Sequence, residues 1–248
     1  MPSAMSLHFQ PDHPFIVVPL EGETIDDLGL RIDQILQKPY DLIGFDAGSF
    51  NGTINLSQLW NALLFIARDG EQPSILFSCD RSKLPEGFQR DYPNILRFAI
   101  RSALIDAVKI DGDIDEDTIA DIAGMANDLG NVPIIVVKLD KVTTSEDAVA
   151  KLEALWDLEA THFELTAPVT SKEDIQVLQE AAKTFEEKHH DADARVIIHP
   201  VGAVAKKELL AGDTFGASLL YTTDQEETDT LPTSTDVLKI LKDKGCRE

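Results

Sequence analysis

The chain has 248 residues, of which 43% are hydrophobic and 27% are charged, and its formal net charge is −22 at pH 7. Binding to nucleic acid or to anionic lipid needs an excess of lysine and arginine, so this composition excludes both classes of partner. Cys79 and Cys246 are too few and too far apart for a disulfide framework, which indicates a reducing, cytoplasmic compartment. No apolar run approaches the roughly 20 residues of a membrane span.

The first 14 residues have neither the basic start nor the apolar centre of a signal peptide, and we expect a disordered leader there. From residue 15 to 248, short apolar runs alternate with amphipathic stretches, as in buried parallel strands joined by helices. The predicted strands span residues 15–20, 41–47, 74–79, 105–111, 132–139, 161–166, 195–199 and 217–221. Helical spacing is clearest over residues 24–37, 115–129, 172–189 and 235–244.

Eight strand–helix units in about 230 residues predict a single (β/α)8 barrel, with an open doubly wound sheet as the alternative. Barrel sites form where strands end, and alternate strand residues face the lumen. The second strand therefore places Asp46 in the candidate site, and the fourth places Lys109 and Asp111 there. The third strand ends at Asp80 and Arg81. We expect the carboxylates and Arg81 to contact a small-molecule ligand at the barrel mouth.

Lys109 and His199 are the candidate catalytic residues. A lysine desolvated in a barrel lumen has a lowered pKa and becomes a nucleophilic amine. Alternatively, an ion pair with Asp111 or Asp46 keeps the Lys109 amine protonated and inert. His199 ends the seventh strand and is either a general acid/base or simply a hydrogen-bonded side chain.

Motifs for a metal or a cofactor are absent from the sequence, and we expect neither. Aspartates at positions 111, 113, 115 and 117 alternate, but the spacing lacks the glycine and glutamate of a calcium loop. They predict instead an N-cap for a helix that begins near Ile114. Zinc-binding, nucleophile-elbow and glycine-rich phosphate-binding motifs are also missing.

Four segments resemble type I 3-dehydroquinate dehydratases. They read PFIVVPLEGETIDDL, YDLIGFDAGSF, VPIIVVKLDK and LLAGDTFGASLLY, and the last is the most specific. The resemblance runs in order from residue 15 to 244. It implies a (β/α)8 barrel, a homodimer and a place in the shikimate pathway.

Members of that family form an imine between a strand-six lysine and the substrate ketone, and a strand-five histidine then moves the protons. The resemblance aligns the lysine with Phe163, next to Glu164, and the histidine with Leu139. It aligns two substrate-binding arginines with Asp46 and Asp80.

Three further family positions also differ here. The second-strand glutamate aligns with Gly44, and the arginine before the L-A-G segment aligns with Leu209. The family's P-G-Q loop aligns with Pro232, Thr233 and Ser234, which makes Ser234 a candidate ligand-binding residue.

Without an amine there is no imine, and without an imidazole the proton has no relay. We therefore expect a non-catalytic homologue with a binding or regulatory role, whose lumen is filled by apolar side chains such as Leu139 and Phe163 and by a Lys109–Asp111 pair. The alternatives are a repurposed lyase or aldolase-like enzyme that uses Lys109, and residual 3-dehydroquinate dehydratase activity. An open pocket lined by unpaired Lys109 and His199 contradicts the first hypothesis.

Overall fold

Eight parallel strands alternate with eight main helices in the computed structural model, which describes residues 9–10, 12–67, 73–223 and 228–247. The strands are β1 (Phe15–Leu20), β2 (Leu42–Asp46), β3 (Ser74–Ser78), β4 (Ala107–Asp111), β5 (Val132–Lys138), β6 (His162–Pro168), β7 (Arg195–Val201) and β8 (Leu219–Tyr221). The helices are α1 (Ile25–Ile35), α2 (Leu56–Ile66), α3 (Tyr92–Arg101), α4 (Glu116–Asp128), α5 (Ser145–Glu153), α6 (Lys172–Lys188), α7 (Ala203–Leu210) and α8 (Ser234–Asp243).

The strands pair in the order β7-β6-β5-β4-β3-β2-β1-β8, and β7 and β8 lie side by side. The sheet is therefore a nearly closed (β/α)8 barrel, and the predicted fold is confirmed. The observed strand bounds differ from the predicted ones by at most two residues. Within the described ranges, no helix is long and apolar enough to cross a membrane.

The larger apolar core lies between the strands and the surrounding helices. In α1, for example, Leu28, Ile32 and Ile35 are buried at helical spacing against the outer face of the sheet. A second apolar layer fills the lower lumen with one side chain from most strands: Val17, Leu42, Leu76, Ala107, Ile134, Ile197 and Leu219. The lower lumen is thus packed, and polar chemistry is confined to the levels above it.

Phe9 closes the bottom of this apolar layer. Its side chain is 2% exposed, and its ring meets the rings of Phe15 and His162 edge to face. Most of the predicted disordered leader, residues 1–8 and 11, lies outside the described residues. The C-terminal end of the chain reaches the same place, where the Arg247 guanidinium donates to the carbonyl of Pro14 and to the carboxylate of Asp41.

Helix α6 begins with a reciprocal capping box. The backbone N–H of Asp174 donates to the Ser171 hydroxyl oxygen at 3.2 Å, and the N–H of Ser171 donates to the Asp174 carboxylate at 3.1 Å. We expect Ser171→Ala to lower the free energy of unfolding by about 1 kcal/mol, because an N–H of the first turn loses its acceptor. Urea unfolding measures the change. Ser171→Asp keeps an acceptor and should stay near wild type, and equal losses in both variants would contradict the capping role.

Candidate functional site in the barrel lumen

Polar side chains from four strands meet directly above the apolar layer. Lys109 of β4 places its Nζ 2.7 Å from Glu164 Oε2 of β6. The Nδ1 of His199, on β7, donates to Glu164 Oε1 at 3.2 Å, and the Tyr221 hydroxyl of β8 donates to Oε2. Lys109 Nζ also lies 4.3 Å from the centre of the Tyr221 ring, on which His199 stacks at 4.1 Å. We call these four residues the Glu164 cluster.

Glu164 is 2% exposed and yet ionised. Burial alone would raise its pKa, but the positive charge of Lys109 and the hydrogen bond from His199 outweigh burial and lower the pKa well below the usual range. Burial and the neighbouring Glu164 charge raise the pKa of Tyr221 well above its ordinary value, so the phenol remains a donor. The cluster is therefore a paired network around one buried carboxylate.

The structure corrects the predicted partner of Lys109. Neither Asp111 nor Asp46 holds the amine, because Glu164 reaches it across the lumen from β6. Asp111 lies one level higher on the same strand and bonds to Lys138, at 2.6 Å. A partner on a strand distant in sequence is invisible to reasoning that compares near neighbours along the chain.

The strand registers also correct two expectations about the lumen. Phe163 faces the helices, where its ring lies 5.3 Å from that of Phe185 and 6.1 Å from that of Trp156. Leu139 follows β5 and packs in the outer apolar core. The lumen-facing residue on β6 is Glu164, one position along from Phe163, because a step of one residue reverses the face of a strand.

Asp111 anchors a second group of charges at the barrel mouth. Besides Lys138, it faces Arg81, whose Nε lies 3.7 Å from Asp111 Oδ2 and whose Nη2 lies 3.6 Å from Asp113. The N–H of Asp111 donates to the Tyr92 hydroxyl at 2.8 Å. The predicted site residues Arg81 and Asp111 are thus brought together, but they bind each other.

Asp46 organises the opposite side of the mouth. Its Oδ1 accepts the N–H of Asp80 at 2.8 Å, and its Oδ2 bonds to Lys83 Nζ at 2.8 Å. Lys83 also bonds to Glu21 at 3.0 Å. Burial lowers the pKa of Lys83, but its hydrogen bonds to Asp46 and Glu21 raise the pKa by more. The pKa is therefore above its ordinary value, and the ammonium is retained. Asp80 accepts the N–H and hydroxyl of Ser82, which lower its pKa despite burial.

No group of three or more His, Cys, Asp or Glu side chains in the described part of the chain is placed to hold a metal ion.

The family model of type I 3-dehydroquinase matches residues 16–245. The chain belongs to this family. The resemblance seen in the sequence is confirmed.

Several 3-dehydroquinate dehydratases are similar to this chain, some in sequence and some in fold. The 3-dehydroquinate dehydratase of Clostridium novyi (strain NT) is 24% identical over 215 residues, which cover 84% of this chain and 83% of that protein. That of Klebsiella pneumoniae (strain 342) is 25% identical over 225 residues, 88% of each chain. The type I 3-dehydroquinate dehydratase of Clostridium difficile superposes with a TM-score of 0.81 at 19% identity, covering 93% of this chain and 91% of that one. The 3-dehydroquinate dehydratase of Geobacillus kaustophilus HTA426 superposes with a TM-score of 0.80 at 19% identity, covering 94% of this chain and 91% of that one.

In this type I 3-dehydroquinase family member, the sequence reasoning found Lys109 and His199 but not what joins them. Tyr221 was missed, although it ends a strand in the same register as the lumen residue Leu219. Ser234 is fully buried at the start of α8, and its hydroxyl has no hydrogen-bond partner among the described residues. Its assignment to ligand binding stays a prediction.

Proposed function

We propose that this chain is a non-catalytic member of the type I 3-dehydroquinase family, in which the barrel has a binding or regulatory role. The observation that carries the proposal is the lumen position of β6, where Glu164 stands and binds Lys109. An imine requires an unprotonated amine, and a carboxylate cannot supply one. A buried carboxylate at 2.7 Å also favours the protonated, non-nucleophilic form of its amine partner.

The proton-transfer role of the family also has no imidazole on β5, which contains no histidine. The lumen positions near the end of β5 hold Val136 and Lys138. His199 is in the lumen on β7, but its Nδ1 bonds to Glu164 and its ring is stacked on Tyr221. The cavity that touches His199 and Tyr221 has a volume of about 30 Å³, far below the several hundred that a ligand pocket needs.

The mouth is better suited to a neutral or cationic ligand than to a carboxylate. The charged residues described above for the lumen and mouth comprise six carboxylates and four cations. The carboxylates are Glu21, Asp46, Asp80, Asp111, Asp113 and Glu164, and the cations are Arg81, Lys83, Lys109 and Lys138. An anionic substrate has to compete with these carboxylates for every cation it contacts. We infer that a ligand of the mouth is uncharged or positively charged.

A lyase that acts through Lys109 is the second candidate function. The observation in its favour is that a hydroxyl and an imidazole, from Tyr221 and His199, surround the same carboxylate as the amine. These are groups that can pass protons during imine chemistry. This function requires Glu164 to release Lys109 when a carbonyl substrate arrives.

Borohydride trapping separates the candidates. The protein is incubated with 3-dehydroquinate and reduced, its intact mass is measured, and any adduct is mapped to a peptide. We expect no adduct and no dehydration, while the Clostridium novyi 3-dehydroquinate dehydratase serves as the positive control. An adduct that is lost in Lys109→Met would overturn the proposal and establish lysine chemistry on β4. Dehydration without an adduct would establish residual activity by another route.

A thermal-shift screen tests the binding role independently. A ligand at about 100 times its Kd stabilises the fold by about 2.7 kcal/mol, or several degrees in a domain of this size. Amines, polyols and sugar acids are the three probe classes. A shift with amines or polyols supports a ligand-binding mouth, and a shift confined to sugar acids contradicts the inferred ligand charge.

A further inference from the structure

A crevice of about 350 Å³ lies beside the barrel mouth, between the β4–α4 and β5–α5 units. Its floor is apolar and comes from Gly112, Val136, Val137, Ala154 and Leu155. A Cβ at Gly112 would lie 2.8 Å from Leu155 and 2.9 Å from the carbonyl oxygen of Val136, so glycine permits the close approach of the two units there. The volume is within the range of roughly 300–1,000 Å³ that is typical of small-molecule sites.

Four charged side chains line the crevice around this floor, and their signs differ between its two sides. The β4–α4 unit contributes the carboxylates of Asp113 and Glu116, and the β5–α5 unit contributes the ammonium groups of Lys138 and Lys151. Asp113 and Lys138 already belong to the ion pairs of the mouth. Each side therefore keeps one further charge, Glu116 on the first and Lys151 on the second.

Glu116 and Lys151 are the charges that a ligand can use. Both are exposed, and neither side chain has an ion pair or a hydrogen bond within the part of the chain that the structure describes. Glu116 lies in the first turn of α4 and Lys151 in the last turn of α5, where the helix dipoles favour these signs separately. Because both line one cavity without pairing with each other, the crevice has a negative and a positive pole.

We propose that this crevice binds a small zwitterion, a molecule whose ammonium group and carboxylate are joined by a short aliphatic chain. The ammonium group contacts Glu116, the carboxylate contacts Lys151, and the aliphatic chain lies on the apolar floor. A simple amine or a simple carboxylate is attracted by one side of the crevice and repelled by the other. A zwitterion satisfies both sides at once.

The charge balance of the crevice distinguishes it from the rest of this protein. The chain as a whole carries a net charge of −22, which attracts cations to its surface in general. Two carboxylates and two ammonium groups line the crevice, so a ligand without net charge is the one that matches it. This inference does not rest on the proposed function, because it involves neither the Glu164 cluster nor the loss of catalysis.

The test is an amide NMR titration of the full chain with two zwitterions, γ-aminobutyrate and ε-aminohexanoate. Butylamine, butyrate, hexylamine and hexanoate are the controls, since each has the same carbon chain and only one of the two charges. We expect at least one zwitterion to cause saturable shifts at Gly112, Val137 and Leu155. Its dissociation constant should be at least about 5-fold lower than that of either matched control, because each control lacks one ion pair.

Two variants test the assigned contacts. Lys151→Met and Glu116→Gln should each raise the dissociation constant of the zwitterion by about 5-fold. Lys151→Met makes the chain more negative, so general attraction of the ammonium group would strengthen binding, whereas the proposed site requires weaker binding. Lys207→Met, in the last turn of α7, and Asp117→Asn, in the first turn of α4, make the same charge changes outside the crevice and should leave the constant unchanged.

The amide spectrum of each variant shows whether its fold is intact. The absence of saturable shifts with both zwitterions, or shifts that lie away from the crevice, would overturn the proposal. Equal affinity for a zwitterion and its matched amine would reduce the binding to general attraction by an acidic surface. Equal effects of Lys151→Met and Lys207→Met would also contradict the site.

Discussion

Replacement of Glu164 by glutamine is expected to lower the free energy of unfolding by about 3–5 kcal/mol, because it leaves the Lys109 ammonium without its buried counter-ion. Urea unfolding at neutral pH measures the loss. Glu208→Gln removes a carboxylate from an exposed pair with Lys172 and should change stability far less. The double variant Lys109→Met with Glu164→Leu should recover much of the loss, since it removes both charges. A single variant as stable as wild type would show that the Glu164 cluster is not a paired network.

The same pair predicts how this loss depends on pH. The pKa of Glu164 is lowered in the folded state from its ordinary 4.5, so its contribution is fully present above that value. As pH falls below 4.5, the unfolded chain takes up the proton first, and the contribution is lost progressively. The difference in free energy of unfolding between wild type and Glu164→Gln should therefore be constant near neutral pH and become smaller below about pH 4.5. A gap that persists unchanged in strong acid would contradict the assigned ion pair.

Phe163→Ala is expected to cost about 3–5 kcal/mol, because it leaves a cavity between β6 and the surrounding helices. The side chain is fully buried against Phe185 and Trp156. Urea unfolding measures the cost, and Phe88→Ala, at a position 39% exposed, is the matched control. Adding Glu164→Gln to Phe163→Ala should lower the free energy of unfolding further, with the same dependence on acid pH as in the wild-type background. The reason is that the lumen is on the other side of the strand. A cost below about 1 kcal/mol would mean that Phe163 does not fill the outer core.

The barrel could be predicted because its evidence is local. Each buried strand is a short apolar run, and each helix carries an apolar stripe. Each strand and helix can therefore be predicted from the residues of its own segment. The face of β6 was also readable. Polar His162, Glu164 and Thr166 alternate with apolar Phe163 and Leu165, which places the glutamate inside. Alignment by family motif instead placed the lysine position on Phe163, one residue away and on the opposite face.

The pairing of charges could not be predicted in the same way. Lys109 and Glu164 are 55 residues apart in sequence and meet only because β4 and β6 lie on either side of β5 in the sheet. Lys83 comes from the long connection after β3, whose path no periodic pattern specifies, and it reaches Asp46 and Glu21 from two other strand ends. The choice among several carboxylates for each cation depends on distances across the lumen. Sequence supplies the candidates for such pairs, and only the closed barrel selects among them.

The first and last described residues meet beneath the barrel, and this has a practical consequence. Phe9 plugs the bottom of the lumen, and Arg247 is bonded to Pro14 there, so both lie at the pole opposite the mouth. Domains fused next to either of these residues should leave ligands free access to the mouth, provided that Phe9 is kept. A linker that joins residues 9 and 247 would close this part of the chain into a ring, and new ends could then be opened in an exposed loop without cutting any strand.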